Sequence, residues 1–375
     1  MNNRFQLLIP CILISGCTVI MPKLIPFKNL PAPNGEYSVG TQVFNWIDSS
    51  RDEWFTEDDL DDKRKLVVQI WYPTEAIGGE KYPYMDNPEK RLGPLSEQLE
   101  LPVFMIRHIQ EIRTNSILNA PIHPDVDSLP VIVFSHGLGG MKAQNTAHIE
   151  ELVSQGYFVI APDHPYDANI TIFNDGTVAD YRSGITFLQA KRGKGLKLTE
   201  KDFWDFRLPQ IKTRTADIQY LLNELEARNG TVQSLWKVMD LDRIGIFGHS
   251  YGGATSVMVS YVDNRIDACI SLDGWNVPIP QNVIDDGLNI PLLYIGRPEW
   301  DTNLNYEKLD TLIARSGTIA EKLILDGTKH FDYSDTPYFS TMAKRFGISG
   351  ELSAEEILST LNEQIITFFD KHVKN

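Results

Sequence analysis

From Leu129 onward the chain repeats one rhythm: a short apolar run, a turn, then a stretch with helical spacing. Val131 to Phe134 is apolar throughout, as a strand covered on both faces of a parallel sheet must be. Helical spacing follows over Thr146 to Gln155, with Gly156 as its C-cap, and Tyr157 to Ala161 is the next strand. Further along come strand Arg243 to Phe247, helix Gly252 to Tyr261, strand Asp267 to Leu272, strand Leu292 to Ile295, helix Tyr306 to Arg315 and strand Lys322 to Leu325. Ser353 and Glu356 form a capping box before a last helix with an apolar stripe at Ile357, Leu361, Ile365 and Phe368. Strands alternating with helices predict an α/β fold with a mostly parallel, doubly wound sheet.

Ahead of this unit, Tyr37 to Trp46 and Lys65 to Tyr72 read as strands. Pro73 to Ser128 is mixed, with a helical piece expected near Leu95 to Leu118, and reads as an insertion. Asp167 to Pro209 shows no clear period and reads as a second one, before helical spacing resumes at Arg214 to Leu225. One domain is expected over residues 35–375, with insertions at about 73–128 and 167–209.

Composition closes off some functions. The formal charge of −15 leaves no basic face for nucleic acid. The acidic run around Asp52 and Glu53 and from Glu57 to Asp62 reads as a solvated loop, since no glycine-centred calcium loop goes with it. Residues 1–16 carry one basic residue, Arg4, then an apolar stretch from Phe5 to Ile14 too short to span a bilayer. Its end, Ile14-Ser15-Gly16-Cys17, resembles a bacterial lipobox: cleavage before Cys17 and acylation there would anchor the chain to a membrane. Thr18 after the cysteine points to the outer membrane of the cell envelope. Residues 17–34, rich in proline, read as a tether. Cys11 would leave with the leader, so Cys269 alone remains and is expected as a buried, unbridged small hydrophobe.

The chemistry centres on Gly248-His249-Ser250-Tyr251-Gly252, between a strand and a helix. A tight strand-to-helix turn strains the serine backbone, presents its hydroxyl, and needs glycine on either side where strand and helix cross. A serine nucleophile needs a base. Of the histidines after Ser250, His372 sits in a charged tail, whereas His330 follows the last predicted strand. An acid must orient that imidazole. Asp273 ends one strand and Glu299 and Asp301 follow the next; spacing leaves all three open, slightly favouring the later pair. The amides of Tyr251 and of Leu138, in the loop Ser135-His136-Gly137-Leu138-Gly139-Gly140, are expected to form an oxyanion hole. His136 and His164 stand beside strand ends, where they line a pocket or satisfy loop hydrogen bonds; no zinc-type cluster is visible.

Taken together, FSHGLGG (Phe134–Gly140), GHSYGGAT (Gly248–Thr255), LDGW (Leu272–Trp275) and KHFDYSD (Lys329–Asp335) resemble the plasma-type (isoform II) platelet-activating factor acetylhydrolases, of the α/β-hydrolase fold. The resemblance spans roughly Leu129 to Asp335 and implies Asp273 as acid, His330 as base, and Leu138 and Tyr251 as oxyanion donors. It implies a serine esterase that cleaves short or oxidised acyl esters of phospholipid without metal or cofactor. The two insertions match nothing in that pattern. A cutinase-like polyesterase, a dienelactone hydrolase and a non-catalytic surface lipoprotein stand as alternatives.

Overall fold

In the computed structural model, which describes residues 21–56, 59, 61–184, 199–229, 234–340 and 342–374, the chain enters through two long paired strands, β1 (Ser38–Asp52) and β2 (Lys63–Thr74). There follow β3 (Lys81–Pro83), helix α1 (Pro88–Leu99), β4 (Arg113–Leu118), β5 (Leu129–Ser135), α2 (Thr146–Ser154) and β6 (Phe158–Asp163). A hairpin of β7 (Ile170–Ile172) and β8 (Val178–Asp180) precedes the long helix α3 (Glu200–Asn229). The second half runs β9 (Met239–His249), α4 (Tyr251–Val262), β10 (Ala268–Leu272), β11 (Leu292–Gly296), α5 (Leu304–Ser316), β12 (Ala320–Ile324) and α6 (Ala354–Phe369).

Ten strands form one sheet, in the order β12-β11-β10-β9-β5-β6-β2-β1-β4-β3. From β12 to β6 every neighbour pair is parallel; β2 then joins β6 antiparallel and β1 joins β2 antiparallel. Alternation along β5 shows why both faces are covered. Ile132 and Phe134 point into one apolar core with α2 and α6, and Val131 and Val133 into the other with α3 and α4. The capping box at Ser353 and Glu356 starts α6 as expected.

Four expectations need correction. Apolar residues from Leu95 to Leu118 are spaced as for one helix, yet α1 stops at Leu99, short turns follow, and Arg113–Leu118 is a strand held between β1 and the edge strand β3. The stretch read as an insertion thus extends the sheet. Residues 200–209, read as irregular, are the first turns of α3, with Pro209 inside it. Most of the proposed tether is strapped to the body: Ile25 and Leu30 are buried, Lys28 N–H donates to the Phe339 carbonyl (2.8 Å), and Asn34 N–H to the Glu151 carboxylate (2.9 Å). The acidic run is not all solvated either, since Glu53 is buried against Arg64 at 2.6 Å. Cys17 and the leader lie outside the described residues.

Candidate active site

Parallel strands end on the same edge of a sheet, so β5, β9, β10 and β12 deliver four separate loops to one place. At the end of β9 the chain turns at once into α4. Ser250 at this corner has φ 58° and ψ −119°, a conformation that costs a non-glycine residue about 1–3 kcal/mol. The surrounding structure holds it there: Ser250 N–H donates to the Leu272 carbonyl (3.0 Å), and Trp275 N–H donates to the Ser250 carbonyl (2.9 Å). Glycine is obligatory beside it, because a Cβ on Gly252 would lie 1.9 Å from the Ser135 carbonyl oxygen.

His330 Nε2 lies 3.0 Å from Ser250 Oγ, and His330 Nδ1 lies 2.5 Å from Asp273 Oδ2. A neutral imidazole has one N–H; donated to the carboxylate, it leaves Nε2 free to accept the serine proton. Asp273 is fully buried at the end of β10, itself at positive φ (41°). Its Oδ1 accepts from Tyr294 Oη (3.3 Å), Trp300 Nε1 (3.1 Å) and the Arg297 amide (3.2 Å), while the Arg297 guanidinium stands 3.1 Å from Oδ2. That resolves the choice of partner for His330: Glu299 and Asp301 point to solvent after β11, and Asp273 alone of the three meets the imidazole.

Leu138 follows β5 and Tyr251 opens α4. Among the described residues, the backbone amides of both donate to no protein acceptor, so both are free for a ligand. The glycine between strand and Leu138 packs tightly, for a Cβ on Gly137 would lie 3.1 Å from that of Ser250. Two residues that sequence reasoning missed brace this loop. Gln144 accepts from the Gly137 amide (2.8 Å) and donates to His249 Nδ1 (3.1 Å). His249, buried and held well below its ordinary pKa by desolvation and then by the charge of His330, donates from Nε2 to the His330 carbonyl (2.9 Å). His249 was visible within GHSYG, but only the fold shows that it joins the serine, histidine and oxyanion loops.

His136 and His164 turn out to be bracing residues. His164 N–H donates to His136 Nε2 (3.0 Å), and both rings are fully buried. Cys269 is buried too, its thiol pushed up to about 12 by desolvation. No cluster of residues suited to a metal exists among the described residues.

A strained serine beside an imidazole–carboxylate pair, at the carboxyl edge of a parallel sheet, defines the class: a serine hydrolase of the α/β-hydrolase fold. The fold resembles that of a ferulic acid esterase from Streptomyces cinnamoneus, with a TM-score of 0.70 and 26% identity over 92% of this chain and 93% of that one. Residues 24–375 match the family described as platelet-activating factor acetylhydrolase, isoform II, and the chain belongs to that family. Among its relatives are the platelet-activating factor acetylhydrolases of Canis lupus familiaris (25% identical) and Bos taurus (26% identical), each aligned over 92% of this chain and 78% of its own length.

Proposed function

We propose that this chain hydrolyses carboxylic esters through an acyl-enzyme on Ser250, with short acyl groups, acetyl foremost, on a phospholipid-like alcohol as its substrate class. His330 takes the Ser250 proton as the hydroxyl attacks the ester carbonyl. Asp273 orients the imidazole and stabilises its charged form. The Leu138 and Tyr251 amides stabilise the oxyanion. His330 then protonates the leaving alcohol, and a water activated by the same ring releases the acid. The observation that carries this reading is the 3.0 Å contact between Ser250 Oγ and His330 Nε2 at a backbone corner held in strain. Membership of the acetylhydrolase family supports the acyl preference.

The test combines a fluorophosphonate probe with an ester panel. The probe is expected to label the wild type and not Ser250→Ala; a wild type that stays unlabelled makes this a binding protein. Within the panel, acetyl esters of glycerophospholipid are expected to outrun long-chain p-nitrophenyl esters, peptide amides and polyesters. A feruloyl ester belongs there as well, because a ferulic acid esterase shares the fold along nearly the whole chain. Preference for it would replace the phospholipid reading.

Anchoring belongs to the same proposal. The leader ending at Cys17 supports an acylated N-terminus in the outer membrane of a bacterial envelope, and no described helix is long and apolar enough to cross a membrane. Palmitate incorporation that Cys17→Ala abolishes is the expected result; equal labelling of both forms would remove the anchor.

A further inference from the structure

An apolar groove of about 420 Å³ lies beside the candidate site. Its walls come from parts of the chain far apart in sequence: Ile25 and Phe27 of the N-terminal strap, Leu95 of α1, and Phe339 beyond the histidine loop. Ser250 and His330 do not line it. It meets them through Leu138, whose amide faces the proposed oxyanion, and through Phe331, which directly follows His330. The larger polar groups along it are already engaged. Arg91 is paired with Asp86 and Asp163, and Gln144 is bonded to Gly137 and His249. What remains to greet a ligand is mostly hydrocarbon.

The surroundings of Tyr251 are different. Tyr251 is fully buried, its ring 5.8 Å from that of Trp275, and the Arg207 guanidinium lies 5.8 Å from the first ring and 5.2 Å from the second. Three packed side chains stand next to the Tyr251 amide. The groove, by contrast, opens beside Phe331, in the loop whose histidine protonates the leaving oxygen.

We propose that the groove binds the hydrocarbon chain on the alcohol side of the ester, and that the strap residues Ile25 and Phe27 form its outer wall and help set the preferred chain length. This deepens the esterase reading and rests on it. The fixed position of the strap is what makes it a wall: Phe27 packs against His108, the rings tilted by 38° with centroids 4.6 Å apart, and His108 Nε2 contacts the Ile25 carbonyl at 2.6 Å.

Two ester series, both assayed below their aggregation concentrations, test it: acetates of ethanol through dodecanol, and ethyl esters of butyrate through dodecanoate. For the wild type, kcat/KM is expected to rise about fourfold per methylene added to the alcohol until the groove is full. Lengthening the acyl chain should bring no such rise. Leu95→Trp, which fills the groove, and the double change Ile25→Ser with Phe27→Ala, which breaches its wall, should each cut the ratio of dodecyl to ethyl acetate hydrolysis about tenfold, the worth of roughly two buried methylenes. Labelling of Ser250 by the fluorophosphonate certifies that each variant is folded. A flat alcohol series in the wild type, a rise in the acyl series instead, or variants that label normally and keep the wild-type ratio would each overturn the proposal. A wild type that neither labels nor hydrolyses any acetate overturns the esterase reading itself. Should a variant fold poorly, the wild-type profile still decides.

Discussion

Two serine–histidine–aspartate chains lie among the described residues, and they differ in nearly everything but their atoms. In one, Ser250 Oγ, His330 and Asp273 are linked at 3.0 and 2.5 Å. In the other, Ser135 Oγ lies 3.1 Å from His164 Nε2, and His164 Nδ1 lies 2.8 Å from Asp217 Oδ2. Ser135 ends a regular strand, fully buried, with Arg214 donating to its hydroxyl at 3.0 Å. Burial and the Arg214 charge push His164 down to about 3, so it is neutral and far too weak a base. Burial alone would raise Asp217, but the Arg64 guanidinium, bonded at 3.0 and 2.7 Å, outweighs this and holds the carboxyl well below its usual range. His330, by contrast, keeps 23% of its side chain exposed, and its serine sits at a strained corner beside two free amides. Hydrogen-bond connectivity alone therefore does not make a site; access, strain and unclaimed donors do.

The sharpest way to break this contrast is to remove each serine. Ser250→Ala is expected to lower kcat on the order of a millionfold, whereas Ser135→Ala, once folded, should label with fluorophosphonate as the wild type does. Next come the acids. Asp273→Asn should cost about 10⁴-fold in kcat with the fold intact, and Glu299→Gln and Asp301→Asn should cost little. Asp217→Asn should instead act on stability, by about 3–5 kcal/mol in chemical denaturation, because it strips a partner from buried Arg64 and His164.

Acidification gives a smaller, graded test. His164 and His148 are lowered to about 3 and about 4, both first by burial, so the folded state resists protons that the unfolded chain accepts near its ordinary value of 6.5. Stability is therefore full above that value and falls as pH drops toward 4, by about 1.4 kcal/mol per pH unit for each such histidine. Thermal melts between pH 7 and pH 4.5 should show the decline, and a flat profile would mean that these rings are not buried neutral. The smallest effect expected is Ser353→Ala, about 1 kcal/mol from loss of the α6 cap.

How much of this could be read from residues alone follows from how local each feature is. The Ser250 corner is local: its two glycines and flanking apolar strand are contiguous, and His330 follows from its place after the last strand. Asp273 was not separable from Glu299 and Asp301 by spacing, because the choice depends on which strand end lies nearer the imidazole. The second chain was illegible for the same reason, since Ser135, His164 and Asp217 sit on β5, just past β6 and on α3. Strand β4 was hidden because apolar residues at a mixed spacing suit a helix as well as a strand whose partners are unknown. The first turns of α3 were hidden by Pro209. The strap was misread because proline-rich chain is equally at home extended in water or extended along a surface.

Ser250 and Asp273, both at positive φ, cap neighbouring strands whose pairing sets Leu272 opposite His249. Each corner depends on that alignment. A copy of the chain that paired those strands one residue out of step would turn both side chains away and lose the two together. Errors of assembly here would yield an inert protein, not one with slack and indiscriminate reactivity.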